Sequence, residues 1–238
     1  MKKIVAASLF LLIISVGAVR GQAALLVLIF GEKAASENFY FSLKAGINYS
    51  NITNVEEGKN RTGFNFGLVN NIRINDKFFL VPEFIMLSPR GVVDAPTLST
   101  GIPELDDLLG NPEYTDRKLN YLDIPVLVRY NFAERWSISA GPQFSYLTSA
   151  TDTYRSSPIE GITLKTELDI EDAFNTIDFG AVIDVMYVVS KPKNGKGLNL
   201  YFRYSRGFID ILKENSGDAH YNSTFQLGAT FPFVEMPE

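Results

Sequence analysis

The sequence predicts an all-β chain of eight antiparallel strands, joined up-and-down and closed into one transmembrane β-barrel. Three observations lead there. Segments of roughly ten residues alternate apolar and polar positions, and about 9–11 residues is what a tilted strand needs to cross a bilayer. The connections between these segments alternate short and long, as they do where tight turns lie on one side of a membrane and loops on the other. Beyond residue 38 no apolar run reaches the length of a membrane helix.

The composition agrees. The 238 residues include 18 Phe, 11 Tyr and 18 Gly, yet mean hydropathy is only +0.04. A helical membrane protein would be far more apolar, whereas a barrel averages lipid-facing against lumen-facing positions. A soluble sandwich or barrel is the competing class, but it has no reason to alternate loop length so regularly. With no cysteine, disulfides, thiolate metal sites, cysteine nucleophiles and a lipidated N-terminal Cys are excluded. The net charge of −5 lacks the basic footprint of nucleic-acid binding.

Residues 1–21 read as a secretory signal. Lys2 and Lys3 precede the apolar run Ile4–Val19, and Val19 and Gly21 are the small residues flanking Arg20. A second apolar run, Ala23–Phe30, allows cleavage as late as residue 35. Residues 22–38 form an N-terminal extension, residues 39–233 the barrel and residues 234–238 a tail.

The first strand, Phe39–Ser50, places Phe41, Leu43, Ala45, Ile47 and Tyr49 opposite Ser42, Lys44, Gly46, Asn48 and Ser50. The second, Gly63–Ile74, sets Phe64, Phe66, Leu68 and Ile72 against Asn65, Gly67, Asn71 and Arg73, and Asn75-Asp76 is a turn. The third, Lys77–Leu87, is apolar on both faces apart from Glu83, so its register is the least defined. A long external loop, Ser88–Lys118, follows. The fourth strand, Leu119–Phe132, turns Asp123 and Arg129 inward against Leu122, Ile124, Val126, Val128 and Tyr130.

The fifth, Trp136–Thr148, alternates Trp136, Ile138, Ala140, Phe144 and Tyr146 with Ser137, Ser139, Gly141, Gln143 and Ser145. After a second long loop, Ser149–Phe174, the sixth strand, Asn175–Val189, sets Ile177, Phe179, Ala181, Ile183 and Val185 against Asp178, Gly180 and Asp184. Ser190–Gly197 is a turn. The seventh, Leu198–Gly207, carries Tyr201 and Arg203 inward, and the eighth, Asn222–Phe233, ends on alternating aromatics. Aromatic residues collect near strand ends, where rings sit at headgroup level.

Eight inward positions are charged: Lys44, Arg73, Glu83, Asp123, Arg129, Asp178, Asp184 and Arg203. The interior of an eight-stranded barrel is just wide enough for side chains to fill. An unpaired charge there is costly, so these residues predict a lumen charge network that plugs the barrel. The alternative is a narrow conduit for ions or small solutes.

Catalysis has little support. His220 is the only histidine and lies in the last external loop near Asp218 and Ser223, with no G-x-S-x-G elbow in the chain. A lone histidine makes no zinc site. The acidic loop 103–109 has carboxylates without EF-hand spacing. No catalytic, metal or cofactor residues are assigned.

The segments FSLKAGINYSNI (Phe41–Ile52), LVPEFIMLSPRG (Leu80–Gly91), LNYLDIPVLVRYNF (Leu119–Phe132), WSISAGPQFSY (Trp136–Tyr146), DFGA (Asp178–Ala181) and RYSRGFIDI (Arg203–Ile211) resemble the PorT-like outer membrane protein β-barrel family, small barrels of Bacteroidota. The resemblance covers about residues 39–233 and implies an eight-stranded barrel of OmpA/OmpX-like size in the outer membrane. Most members have no assigned activity, and PorT itself is linked to type IX secretion and gliding. One departure is the C-terminus, where Phe233 is followed by five further residues, although such barrels usually end on an aromatic.

The expected function is therefore non-enzymatic. The partners are outer-membrane lipid, the outer-membrane assembly machinery and a protein or surface met by the external loops. The alternatives are a porin-like channel and, behind it, an outer-membrane enzyme.

Overall fold

The computed structural model describes residues 35–36, 38–55, 58–96, 114–155, 165–193, 196–213 and 217–233. Its strands are β1 (Ala35–Ser36), β2 (Phe39–Ile52), β3 (Lys59–Arg73), β4 (Phe78–Pro96), β5 (Tyr114–Asn131), β6 (Trp136–Arg155), β7 (Lys165–Asp169), β8 (Ile177–Lys193), β9 (Lys196–Gly207) and β10 (Asn222–Phe233). The signal segment 1–21, the acidic loop 103–109 and the tail 234–238 lie outside the described residues.

Eight strands close into a ring in the order β2-β10-β9-β8-β6-β5-β4-β3, and β3 pairs back onto β2. Every pairing is antiparallel, and each of the eight barrel strands neighbours the next barrel strand along the chain, so the meander is up-and-down. Closure leaves the barrel with no edge, which is what lets backbone N–H and C=O groups sit in hydrocarbon. The short β1 extends the β2 ladder past the end of β10. The short β7 pairs only with the far end of β6.

The polarity is inverted relative to a soluble protein. Lys44, Asn48, Glu83, Arg90, Asp123, Asp178, Asp184 and Arg203 are buried. Ile47, Phe64, Val128, Phe179, Ile183, Phe202 and Leu227 are exposed. An apolar surface this continuous marks an interaction face, and on a closed barrel it is the lipid-facing band. Aromatic pairs sit where strands leave the band: Phe78 stacks on Tyr130 with ring centroids 5.0 Å apart, and Trp136 lies 4.8 Å from Tyr187.

Two expected loops are shorter than the sequence suggested. Ser88–Pro96 continues β4, and Tyr114–Lys118 begins β5. Ser149–Arg155 continues β6, β7 follows, and Glu171–Ala173 is a 3-10 turn. The turn Ser190–Gly197 narrows likewise, because β8 runs to Lys193 and β9 starts at Lys196.

The cause is bulging. Pro89, Gly91, Asp94 and Pro96 read as strand breakers, but here they lie in or beside register shifts between Ile85 and Ser88 and between Val92 and Ala95. Gly91 has φ +137° and Asp94 φ +54°. A bulge absorbs such residues, lets the ladder resume and bends the strand.

The strands β4, β5 and β6 have 19, 18 and 20 residues, whereas β9 and β10 have 12 each. About 9–11 residues cross a membrane, so one side of the barrel projects as a wall at the long-loop end.

Candidate functional site in the lumen

The inward positions build a filled interior in layers. In the lowest layer, near the short turns, Arg129 donates to Asn71 Oδ1 at 2.7 Å, and Asn71 donates to Ser42 Oγ at 3.1 Å.

The middle layer is a four-charge cluster. Arg203 on β9 donates to both oxygens of Glu83 on β4 at 2.7 Å. It also donates to Asp184 on β8, from Nε at 3.1 Å and from Nη2 at 2.5 Å. Lys44 on β2 donates to Glu83 at 3.0 Å and lies 4.2 Å from the centre of the Tyr201 ring. Two cations face two carboxylates, so the cluster is neutral. The fork of Arg203 matches the Glu83 carboxylate geometry, which makes this the strong form of the pair.

Above it, Tyr201 donates to Asn65 at 2.9 Å, Asn65 to Asn48 at 2.6 Å, and Asn48 to the Pro89 carbonyl at 3.1 Å. Gly46 and Gly228 are cross-strand partners, and each makes room for the Tyr201 hydroxyl. A Cβ at Gly46 would stand 2.5 Å from it, and one at Gly228 2.7 Å.

The next layer centres on Arg90. It donates to Asp123 Oδ1 at 2.5 Å, and its Nη1 is 3.7 Å from Asp178. Asp178 also accepts from Asn222 at 3.0 Å. At the long-loop end, Arg117 forms a two-pronged pair with Asp152 at 3.0 and 2.8 Å. There Ile52, Val92, Leu119, Tyr121, Leu147, Phe174 and Ile211 pack together in an apolar layer. Phe174 and Ile211 come from connecting segments folded inward, with Phe174 bridged to Leu212.

Of the eight charges that the sequence placed inside, Lys44, Glu83, Asp184 and Arg203 meet in one cluster, while Asp123 and Asp178 share Arg90. Arg129 is buried but bonded to an amide rather than a carboxylate. Arg73 departs from the network: it is part-exposed at the short-turn end and pairs with Asp76 at 2.5 Å. Arg73 closes β3, so its side chain leans onto its own turn. Arg90, Arg117 and Asp152 were missed because they fall in segments read as loops. The signal was there, since Arg117, Leu119, Tyr121 and Asp123 continue the inward alternation of β5. Ser223 donates to Tyr204 at 3.2 Å, and the His220 backbone N–H donates to Asp210 at 3.1 Å.

Such a molecule, apolar outside and ionic within, is a transmembrane β-barrel. A model of the outer membrane protein beta-barrel domain matches residues 32–213, and the chain belongs to that family. It is an outer-membrane β-barrel protein. Among solved structures it is similar to neisserial surface protein A, at 16% identity over 83% of this chain and 98% of that one, with a TM-score of 0.42. It is also similar to the attachment invasion locus protein Ail of Yersinia pestis, at 12% identity over 82% and 98%, TM-score 0.40. The outer membrane protein AlkL is similar at 10% identity over 86% and 95%, TM-score 0.39. No curated protein matches the sequence.

Proposed function

We propose that this protein is a non-enzymatic, closed outer-membrane barrel that works at its long-loop end, binding a partner or surface outside the cell. The observation that carries this is the double closure of the lumen. The neutral cluster around Arg203 and Glu83 spans it midway, and the apolar layer around Phe174 and Ile211 caps it. A conduit needs an open path for water and ions; the middle layer fills it with buried, mutually paired charges and the upper layer with apolar side chains. The wall formed by β4, β5 and β6 supplies the rigid scaffold on which binding loops concentrate. The PorT-like resemblance names secretion machinery as the partner class, and loss of secreted proteins on gene deletion is its test.

The experiment for closure is conductance. Purified protein in planar bilayers should show no ion steps, and Glu83→Ala together with Phe174→Ala should open some. Steady single-channel steps from the unaltered protein would replace this reading with the porin-like one.

A further inference from the structure

At the short-turn end, below the plugged layers, the barrel holds a cavity of about 310 Å³. Its wall carries Arg73, Arg129, Arg135 and Lys191 against one carboxylate, Glu134. Three of the cations have partners: Arg73 is paired with Asp76, Lys191 with Glu134, and Arg135 donates to the Val189 carbonyl at 3.4 Å.

Arg129 differs from them. It is 6% exposed and has no carboxylate partner among the described residues. One of its nitrogens donates to Asn71, while its buried Nε has no acceptor. The Ser137 hydroxyl, on the same cavity wall and 3% exposed, is also without a partner. A buried guanidinium and a buried hydroxyl left unsatisfied on one concave wall are costly unless a group enters to accept from them. Every other buried arginine of the lumen, Arg90, Arg117 and Arg203, has its carboxylate in place. The net positive wall selects an anion, and the planar fork of arginine suits a carboxylate or phosphate. The volume is at the small end of ligand sites.

We infer that this cavity is a binding site for a small oxyanion, a carboxylate or phosphate group held by Arg129 and Ser137. Arg135 and Lys191 stand at its rim and draw the anion in. Three sources carry this chemistry, and the experiment tells them apart: a soluble organic acid or phosphate, a phospholipid headgroup, and a glutamate of the chain's own residues 234–238.

The cavity carries its own reporter, because Trp136 is the only tryptophan of the chain and lines it. Full-length protein refolded in uncharged detergent is titrated with sodium succinate and with inorganic phosphate. Sodium chloride of equal ionic strength is the control, and Trp136 fluorescence and calorimetry are the readouts. A saturable response to either oxyanion, absent with chloride and weakened at least tenfold in Arg129→Gln, supports a soluble ligand. Response only after deletion of residues 234–238 assigns the site to the tail. An Arg129-dependent shift on moving to vesicles containing phosphatidylglycerol, but not to phosphatidylcholine alone, assigns it to lipid. If Arg129→Gln does not fold, Arg135→Gln with Lys191→Gln at the rim should weaken binding severalfold. Chloride-like behaviour of the intact and truncated proteins, with no lipid-dependent shift, means that the cavity holds water only and overturns the site.

Discussion

Arg203 and Glu83 stand on opposite walls of the barrel, on β9 and β4, and meet through two parallel hydrogen bonds of 2.7 Å across the lumen. Glu83 is the hub, since it is also the carboxylate that Lys44 reaches. Replacing Glu83 by Gln leaves a buried cluster with one excess positive charge. Removing one partner of a buried pair costs about 3–5 kcal/mol. Glu83→Gln should therefore lower folding stability in detergent by about that much, and Glu83→Gln with Lys44→Met should recover part of it by restoring neutrality. Additive effects of the two changes in a double-mutant cycle would show that no shared network exists.

The two faces of β8 should respond oppositely to charge. Ile183 is outward, 47% exposed and amid the apolar band, so Ile183→Arg should cost roughly 2–4 kcal/mol if it lies near the bilayer midplane. Its neighbour Asp184 faces Arg203. Asp184→Asn should couple strongly to neutralisation of Arg203 and less to that of Arg129, which sits across Ser139 on β5, about two strand spacings away. Equal coupling to both arginines would refute the pairing.

The sequence shows the barrel through its alternation, because one face of every strand meets lipid and the other meets packed polar side chains. What it hides are the breakers that the fold tolerates. Pro89, Gly91 and Asp94 look like a loop, but bulges accommodate them and keep Val92 and Ala95 buried. Arg90 thereby enters the lumen unannounced. The sequence places four cations and four carboxylates inward, and two of those cations stand outside the ionic layers. Arg73 belongs to the turn, Arg129 to the cavity, and the missing cations were Arg90 and Arg117. The apolar cap was hidden for a different reason: Phe174 and Ile211 reach the lumen from connections, where period-two reasoning has nothing to say.

Gly46 tests close packing. An added Cβ would stand 2.5 Å from the Tyr201 hydroxyl and 2.7 Å from the Leu227 carbonyl. Gly46→Ala should displace Tyr201, break its bond to Asn65 and cost about 1–3 kcal/mol, as overpacking does. Tyr201→Phe in the same chain should restore only part of this, since the backbone contact remains. Full tolerance of Gly46→Ala would mean that Tyr201 does not rest on this glycine pair.

At the short-turn rim, the hydrogen bond from Lys191, then its charge, holds the Glu134 carboxyl below the usual carboxylate range. A depressed carboxylate adds stability above its unfolded pKa and loses it as pH falls through the folded value. The pair is exposed to solvent, so its effect should be slight and should fade with salt. Lys191→Ala should return the Glu134 titration, read by NMR, to the ordinary range. An unchanged midpoint would show that the pair does not form.

Orientation is the last prediction, because the proposed function depends on it. Short turns face the periplasm and long loops the exterior in outer-membrane barrels. The turn of residues 74–77 lies between β3 and β4, while the 3-10 turn Glu171–Ala173 lies at the opposite end, beside the apolar cap. The chain has no cysteine, so each introduced one is the only target of a thiol reagent. Cysteine in place of exposed Glu171, or of Asp106 in the long loop, should react with a membrane-impermeant maleimide on intact cells. Cysteine in place of Asp76, which is also exposed, should react only after the outer membrane is opened. Lysed cells must label at all three positions, which separates burial from sidedness. The reverse pattern on intact cells would put the capped end inside, leaving the Arg129 cavity facing the medium and the proposed binding rim with no external partner to meet.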